Sequence, residues 1–346
     1  MAAVTRERHR GLILLALAGL LVCTVLSSLA LGPLSIPLAH TLDITASLIG
    51  LGSTTAPAYE LATIEAIRLP RTLTALVTGA ALAGGGAVLQ GLTRNPLVEP
   101  ALIGISSGAA LGAALAIVMG LAGWLLPPTA FVGGLLAAVA VFQLARVDGR
   151  MSAATLLLGG VAINALTAAL LGLMIYAADD QQLRTLTFWM FGSLARTDGA
   201  ALQWMVPVVL GCCVMMWREH RALDALALGD RVAGHLGVSA DRVRGRLLAV
   251  TVLAVGVVVS HTGVIAFVGL VVPHLVRLLL LGAHHRHVIL ASLLLGAGLT
   301  AAADTTARLL VAPAELPIGV VTSLVGAPVF IALLVWRRRD HAQAPV

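Results

Sequence analysis

Residues 68–100 read RLPRTLTALVTGAALAGGGAVLQGLTRNPLVEP, and they set the class of the whole chain. Two arginines, Arg68 and Arg71, flank Pro70 at its start, and about twenty apolar or small residues follow, the length that crosses a bilayer as a helix. The run breaks on Arg94-Asn95-Pro96, polar groups between two hydrophobic spans, and a second glycine-rich run follows. Charge, span, break and span describe a membrane protein with functional groups at both faces of the bilayer.

The rest of the chain fits that reading. Of its 346 residues 59% are hydrophobic and 11% charged, and the mean hydropathy is +0.99. A soluble domain carries about 25% charged residues, so most of this surface has no need of water. Aromatic residues are 4% of the chain while glycine and alanine abound. Small residues let helix backbones approach closely, which suits an all-α polytopic bundle and not an alternating barrel. Cys23, Cys212 and Cys213 lie in apolar runs without metal-site spacing, and no metal site is expected.

All 22 basic residues are arginine. Without lysine the chain holds no P-loop and forms no lysine Schiff base. If ATP drives its work, ATP and Mg belong to a partner chain; this chain is expected to bind no cofactor and to perform no catalysis.

Ten spans are read along a single transmembrane domain, residues 1–346: about 11–32, 72–91, 97–119, 129–145, 155–177, 202–217, 247–259, 265–281, 288–310 and 317–336. Residues 33–67 read as an external segment, and 218–246 as the longest charged segment, a helix–Gly–helix pattern broken at Gly229 and Gly237. An even number of spans puts both termini on one side. That side collects 17 arginines (6, 8, 10, 94, 146, 150, 218, 221, 231, 242, 244, 246, 277, 286 and 337–339) against five (Arg68, Arg71, Arg184, Arg196, Arg308) on the other. By the positive-inside rule the termini are cytoplasmic. The same distribution argues against nucleic acid as the partner of a chain of net charge +6.

Two broken places look alike. Residues 90–97 (QGLTRNPL) and 268–275 (VGLVVPHL) each set a proline four or five residues after a glycine, on opposite sides of the membrane. An inverted repeat, spans two to five against seven to ten, produces that arrangement.

Several motifs carry a resemblance. Arg68-Leu-Pro-Arg71, the Gly79–Gly91 run, residues 94–97 (RNPL) through 99–104 (EPALIG), Gly269–His274, residues 315–322 (ELPIGVVT) and 326–330 (GAPVF) resemble the FecCD family. These are permease subunits of ATP-binding-cassette importers for ferric siderophores, haem and vitamin B12, and the likeness runs from about Ile67 to Trp336. It implies the fold of the vitamin B12 importer-like (type II) permeases: a homodimer, ten helices per subunit, with the pathway between subunits. Two cytoplasmic ATPases would bind below and a periplasmic binding protein would deliver cargo above.

The resemblance also suggests roles. Arg68, Arg71 and Arg308 match positions that receive acidic residues of the binding protein; from the residues alone they read equally as anchors or caps at span ends. Residues 222–246 resemble the coupling helices, with Leu226, Leu228, Gly229, Asp230 and Leu236 expected to touch the ATPase. Asn95 and Leu97 match residues that close the cytoplasmic end of the pathway, although a helix-capping Asn and a packed Leu read as well. Ala153 and Ala154 stand where the family has small hydroxyl residues, a departure at the second gate position.

His284, His285 and His287 read as part of a solvated basic turn, and His261 and His274 as hydrogen-bonded helix-end residues. Haem is the first choice of cargo, from the likeness of residues 188–194 (FWMFGSL) to haem importers, ahead of ferric siderophore and cobalamin. The competing class, an ion-coupled secondary transporter, needs acids within the membrane. Only Asp304 qualifies, and Arg308 one turn on is placed to pair with it.

Overall fold

The computed structural model describes residues 2–121, 123–147, 150–196, 199–280 and 284–342. The chain opens with α1 (Ala2–Ala30) and two short helices, α2 (Leu38–Leu48) and α3 (Ala58–Thr63). A π turn, Ile64–Arg68, joins α3 to α4 (Leu69–Thr93). The second span therefore begins at Ala58, inside what the sequence reads as external loop, and the apolar helix is 36 residues long. Residues 94–99 turn back, a 3-10 turn (Pro100–Ile103) follows, then α5 (Ile105–Val118) and α6 (Leu126–Leu144). A small hairpin, β1 (Arg146–Val147) with β2 (Arg150–Met151), leads to α7 (Ala153–Ala177). Then come α8 (Asp180–Met190), α9 (Gly199–Arg218), α10 (His220–Ala227), α11 (Asp230–His235) and α12 (Ala240–Thr262). Helices α13 (Val268–Leu279), α14 (His285–Leu309) and α15 (Ile318–Ala342) complete the bundle.

Among the described residues seven helices are long and apolar enough to cross a membrane, and three shorter apolar ones join them, which matches the ten spans expected. Two of those ten are helical over only part of their length. The third, read as a continuous helix from Leu97, is a turn followed by the 14 residues of α5, and the eighth is the 12-residue α13. At 1.5 Å per residue these reach about 21 and 18 Å, short of a hydrocarbon core of about 30 Å. The reason is local: Asn95 and Pro96 form a turn, and the left-handed Gly104 (φ 85°) separates the 3-10 turn opened by Pro100 from α5. Each short helix also starts from a left-handed residue, Gly104 (φ 85°) and Phe267 (φ 67°), so the two halves of the chain repeat one device.

The starts of the two halves converge on α4. A methyl group on Gly86 would lie 1.8 Å from the carbonyl oxygen of Gly269, and one on Gly269 2.8 Å from Cδ of Pro100. Only a residue without a side chain permits that approach. A close approach of the same kind, 2.1 Å from a carbon added at Gly79 to the Gly296 carbonyl oxygen, ties α4 to α14. Most residues of α4 from Arg71 to Leu92 are buried, so it forms the axis, whereas α1 and α7 expose most of their apolar surface. A satellite cluster of Leu29, Ile36, Ile44 and Ile64 seats α2 on the end of α1.

Candidate functional site

Polar and charged groups concentrate at the two ends of the bundle. At the arginine-rich end, α4 stops at Arg94, whose left-handed backbone (φ 52°) ends the helix. Asn95 Oδ1 then accepts the Leu97 amide at 3.0 Å and rounds off the turn. Leu97 is exposed and Asn95 half-buried. Ala153 and Ala154 are exposed in the first turn of α7, where Ser152 caps the helix by accepting from the Thr155 amide at 3.3 Å. Among the described residues no hydrogen bond joins the Asn95–Leu97 turn to Ala153 or Ala154.

Helices α10 and α11 form a knob at the same end. Leu223 and Leu226 are buried, and α10 packs on α4 and α14. Leu226 was expected at a partner surface; it faces the core, because an amphipathic helix of eight residues needs that stripe to hold to the bundle. The outward residues are Leu228, Val232 and Leu236, 67%, 43% and 62% exposed. Sequence reasoning does not single out Val232, because the helix breaks at Gly229 between Leu228 and α11 and no helical spacing joins the three residues.

Three acids fasten the knob. Asp224 accepts from the His285 backbone at 3.0 Å and meets its Nδ1 at 2.7 Å, capping α14. His285 is therefore buried and structural, not part of the solvated turn expected for residues 284–287. Glu219 pairs with Arg246. Asp230 accepts from both Arg244 terminal nitrogens at 2.8 Å and from Arg94 at 3.0 Å. Hydrogen bonds from Arg244 are the largest cause holding the Asp230 carboxyl below its ordinary value of 3.8.

At the opposite end the three arginines expected as an open positive surface are 3%, 8% and 4% exposed. Arg68 donates to the carbonyls of Leu29 and Ala30 at 2.6 and 2.8 Å, and also to that of Leu34. Arg308 donates to the carbonyls of Ser28 and Leu31 at 3.1 and 3.2 Å. The last turn of α1 leaves carbonyls without helical partners, and a guanidinium with five donors satisfies several at once. Arg71 differs: Nε reaches both oxygens of Asp304 at 2.9 and 3.0 Å, and Nη1 both oxygens of Glu315 at 2.9 and 2.8 Å. Asp304 is wholly buried and also meets Arg308 Nε at 3.1 Å, the pair its spacing predicts, while the Glu315 side chain is 38% exposed. Arg184 and Arg196 are the exposed arginines here.

His261 packs its ring edge-on to Trp204 with centroids 5.0 Å apart, beside a cleft that includes Trp124 and Phe131. His274 is buried in α13. An apolar groove of about 390 Å³ runs between α13, α14 and α15, lined by Phe267, Val271, Ala303 and Val325.

Known proteins share this arrangement. The hemin transport system permease protein HmuU of Yersinia pestis is 45% identical over 285 residues, 80% of this chain and 84% of that protein. The vitamin B12 import system permease protein BtuC of Shigella boydii is 39% identical over 348 residues, 98% of this chain and 100% of that one. A metal-chelate-type ABC transporter solved in an inward-facing conformation superposes with a TM-score of 0.82 at 33% identity, covering 94% of this chain and 99% of its own. The FecCD transport family matches residues 20–336, and the chain belongs to that family.

Proposed function

We propose that this chain is the membrane permease of an ATP-binding-cassette importer, carrying a metal chelate from a periplasmic binding protein into a bacterial cytoplasm. The observation that carries the reading is whole-chain similarity to a metal-chelate transporter, together with an exposed apolar knob on a chain that has no lysine for a P-loop. The protein sits in the inner membrane with the arginine-rich end cytoplasmic, as 17 arginines against five support. Two copies face each other, the bare apolar surface of α7 and its neighbours providing the contact, and each copy seats one ATPase.

Each end then has a task. On the knob, Leu228, Gly229, Asp230 and Leu236, joined by Val232, enter a groove of the ATPase, and ATP with Mg stays on that partner. Leu226 supports them from below. Asn95, Leu97, Ala153 and Ala154 form the inner gate once two subunits bring their turns together. At the outer end Arg68 and Arg308 shape the rim, and Arg71 is the arginine whose surface partner, Glu315, an incoming carboxylate can replace.

Haem is the cargo we favour, supported by 45% identity over 285 residues to a hemin permease against 42% over 280 residues to a vitamin B12 permease. Ferric siderophore and cobalamin are the alternatives. An ion-coupled transporter is disfavoured because Asp304 is neutralised by Arg71 and Arg308. The test is uptake into liposomes that hold the permease with its ATPase and receive each loaded binding protein. ATP-dependent entry of haem is expected; entry of cobalamin or ferric siderophore alone would replace the cargo, and entry without ATP the whole reading.

A further inference from the structure

One carboxylate joins three segments that the sequence keeps far apart. Asp230 opens α11, Arg244 lies in the first turns of α12, and Arg94 ends α4 beside the Asn95–Leu97 turn. Among the described residues, the Arg94–Asp230 bond is the one hydrogen bond between α11 and that turn. Helix α11 is bounded by Gly229 at φ 113° and Gly237 at φ 79°, which set it off as a separate short helix from α10, itself fixed to the bundle by Leu223 and Asp224.

The two arginines hold Asp230 differently. Arg244 grips both carboxylate oxygens, and its side chain is 12% exposed, so it sets the direction in which the acid points. Arg94 shares one of those oxygens, and its side chain is 45% exposed. Water and salt compete for that outer bond, which makes it the breakable one.

A half-exposed ion pair is often without consequence, but the backbone of Arg94 argues otherwise. A helix end at φ 52° is the place of glycine or asparagine, and other side chains sit there at a cost. The chain places an arginine at that position and turns it towards Asp230.

We propose that Asp230 is a positioning residue that links the ATPase-bearing knob to the inner gate. When α11 moves with its partner, the Asp230–Arg94 bond draws or releases the end of α4, and with it the Asn95–Leu97 turn. Arg244 keeps the carboxylate aimed while this happens. The inference rests on the function proposed above for both segments.

The test uses the full complex in proteoliposomes and reads two rates in the same vesicles, ATP hydrolysed and haem taken up. Arg94→Asn removes the guanidinium while keeping a residue that tolerates the left-handed backbone. Uptake per ATP is expected to fall about tenfold, within the range of coupling between distinct sites, with hydrolysis and assembly retained. Arg94→Lys keeps the charge on the same backbone and is expected to restore most of the coupling. If Arg94→Asn lowers the yield of complex, Arg94→Gln is read in its place against Arg94→Lys, with the same expectation. Wild-type uptake per ATP in Arg94→Asn or Arg94→Gln, or no difference between Lys and the uncharged variants, overturns the linkage alone. A wild-type chain that recruits no ATPase overturns both the linkage and the function beneath it.

Discussion

At the scale of the residue, what a charged side chain does here is set by the backbone it can reach. Arg68 and Arg308 sit where α1 ends and donate to the carbonyls of Ser28, Leu29, Ala30 and Leu31, and so satisfy that end. Arg71 instead shares two acids, one buried and one at the surface. Removing the buried partner leaves Arg71 with Glu315 alone and takes from the buried Arg308 its carboxylate, a loss approaching the about 3–5 kcal/mol of breaking a buried pair. Asp304→Asn is therefore expected to lower the melting temperature of the detergent-purified protein clearly, and Glu315→Gln far less, because Glu315 is partly in water. Glu315→Gln should also strengthen binding of the periplasmic partner if Arg71 receives its carboxylate; unchanged or weaker binding counts against that role.

Asp230 gives a pH prediction of definite sign. Its carboxyl is held below 3.8, so its pairing is complete above that value and is lost only as pH falls through the depressed one. Uptake per ATP should accordingly stay level from neutral pH down to about pH 5, since the acid remains ionised throughout that range. A drop near pH 6 in wild type that Asp230→Asn abolishes would contradict this.

At the scale of the element, pattern gave most helices and proline gave their breaks, but depth did not come from either. The sequence around Pro96 and Pro100 shows that a helix stops there. It does not show that the chain re-enters the bundle and starts α5 part-way up, because that depends on Gly86 meeting Gly269, with Pro100 packed against Gly85 and Gly269, from segments about 180 residues apart in the chain, as in the Gln90–Leu270 bond. The knob was legible as helix–Gly–helix, and its outward face was not fully legible because α10 is too short for one turn of phase to be certain before its neighbours are known. Gly86→Ala is expected to prevent correct packing, since its methyl group would meet a backbone oxygen at 1.8 Å. Gly211→Ala, in α9 with nothing within 4 Å of the added carbon, should be neutral or stabilise by about 0.5–1 kcal/mol. Yield of folded protein by size-exclusion chromatography separates the two. Val232→Asp with Leu236→Asp should abolish recovery of the ATPase with the permease and leave that yield unchanged.

At the scale of the whole molecule, orientation follows from counting arginines and burial does not. Both external and internal arginines looked like surface charge in the sequence, yet Arg68, Arg71 and Arg308 went inward while Arg184 and Arg196 stayed out. Span ends are where chain termini of neighbouring helices cross, and a linear pattern carries no record of those crossings. The proposed orientation is tested with impermeant thiol reagents on intact cells. Leu236→Cys should react only after the inner membrane is opened, and Arg184→Cys should react from the periplasm; the reverse would invert the topology.

The contact of Gly86 with Gly269 has a mechanical consequence. Where two backbones touch with no side chain between them, there is no compressible layer to absorb motion, so the point behaves as a fulcrum. Gly86 lies within α4 whereas Gly269 lies at the start of α13, so a tilt of α4 about this point would carry the two ends of α4 in opposite directions. Paired distance measurements across the two ends, taken with and without ATP, should therefore change in opposite directions.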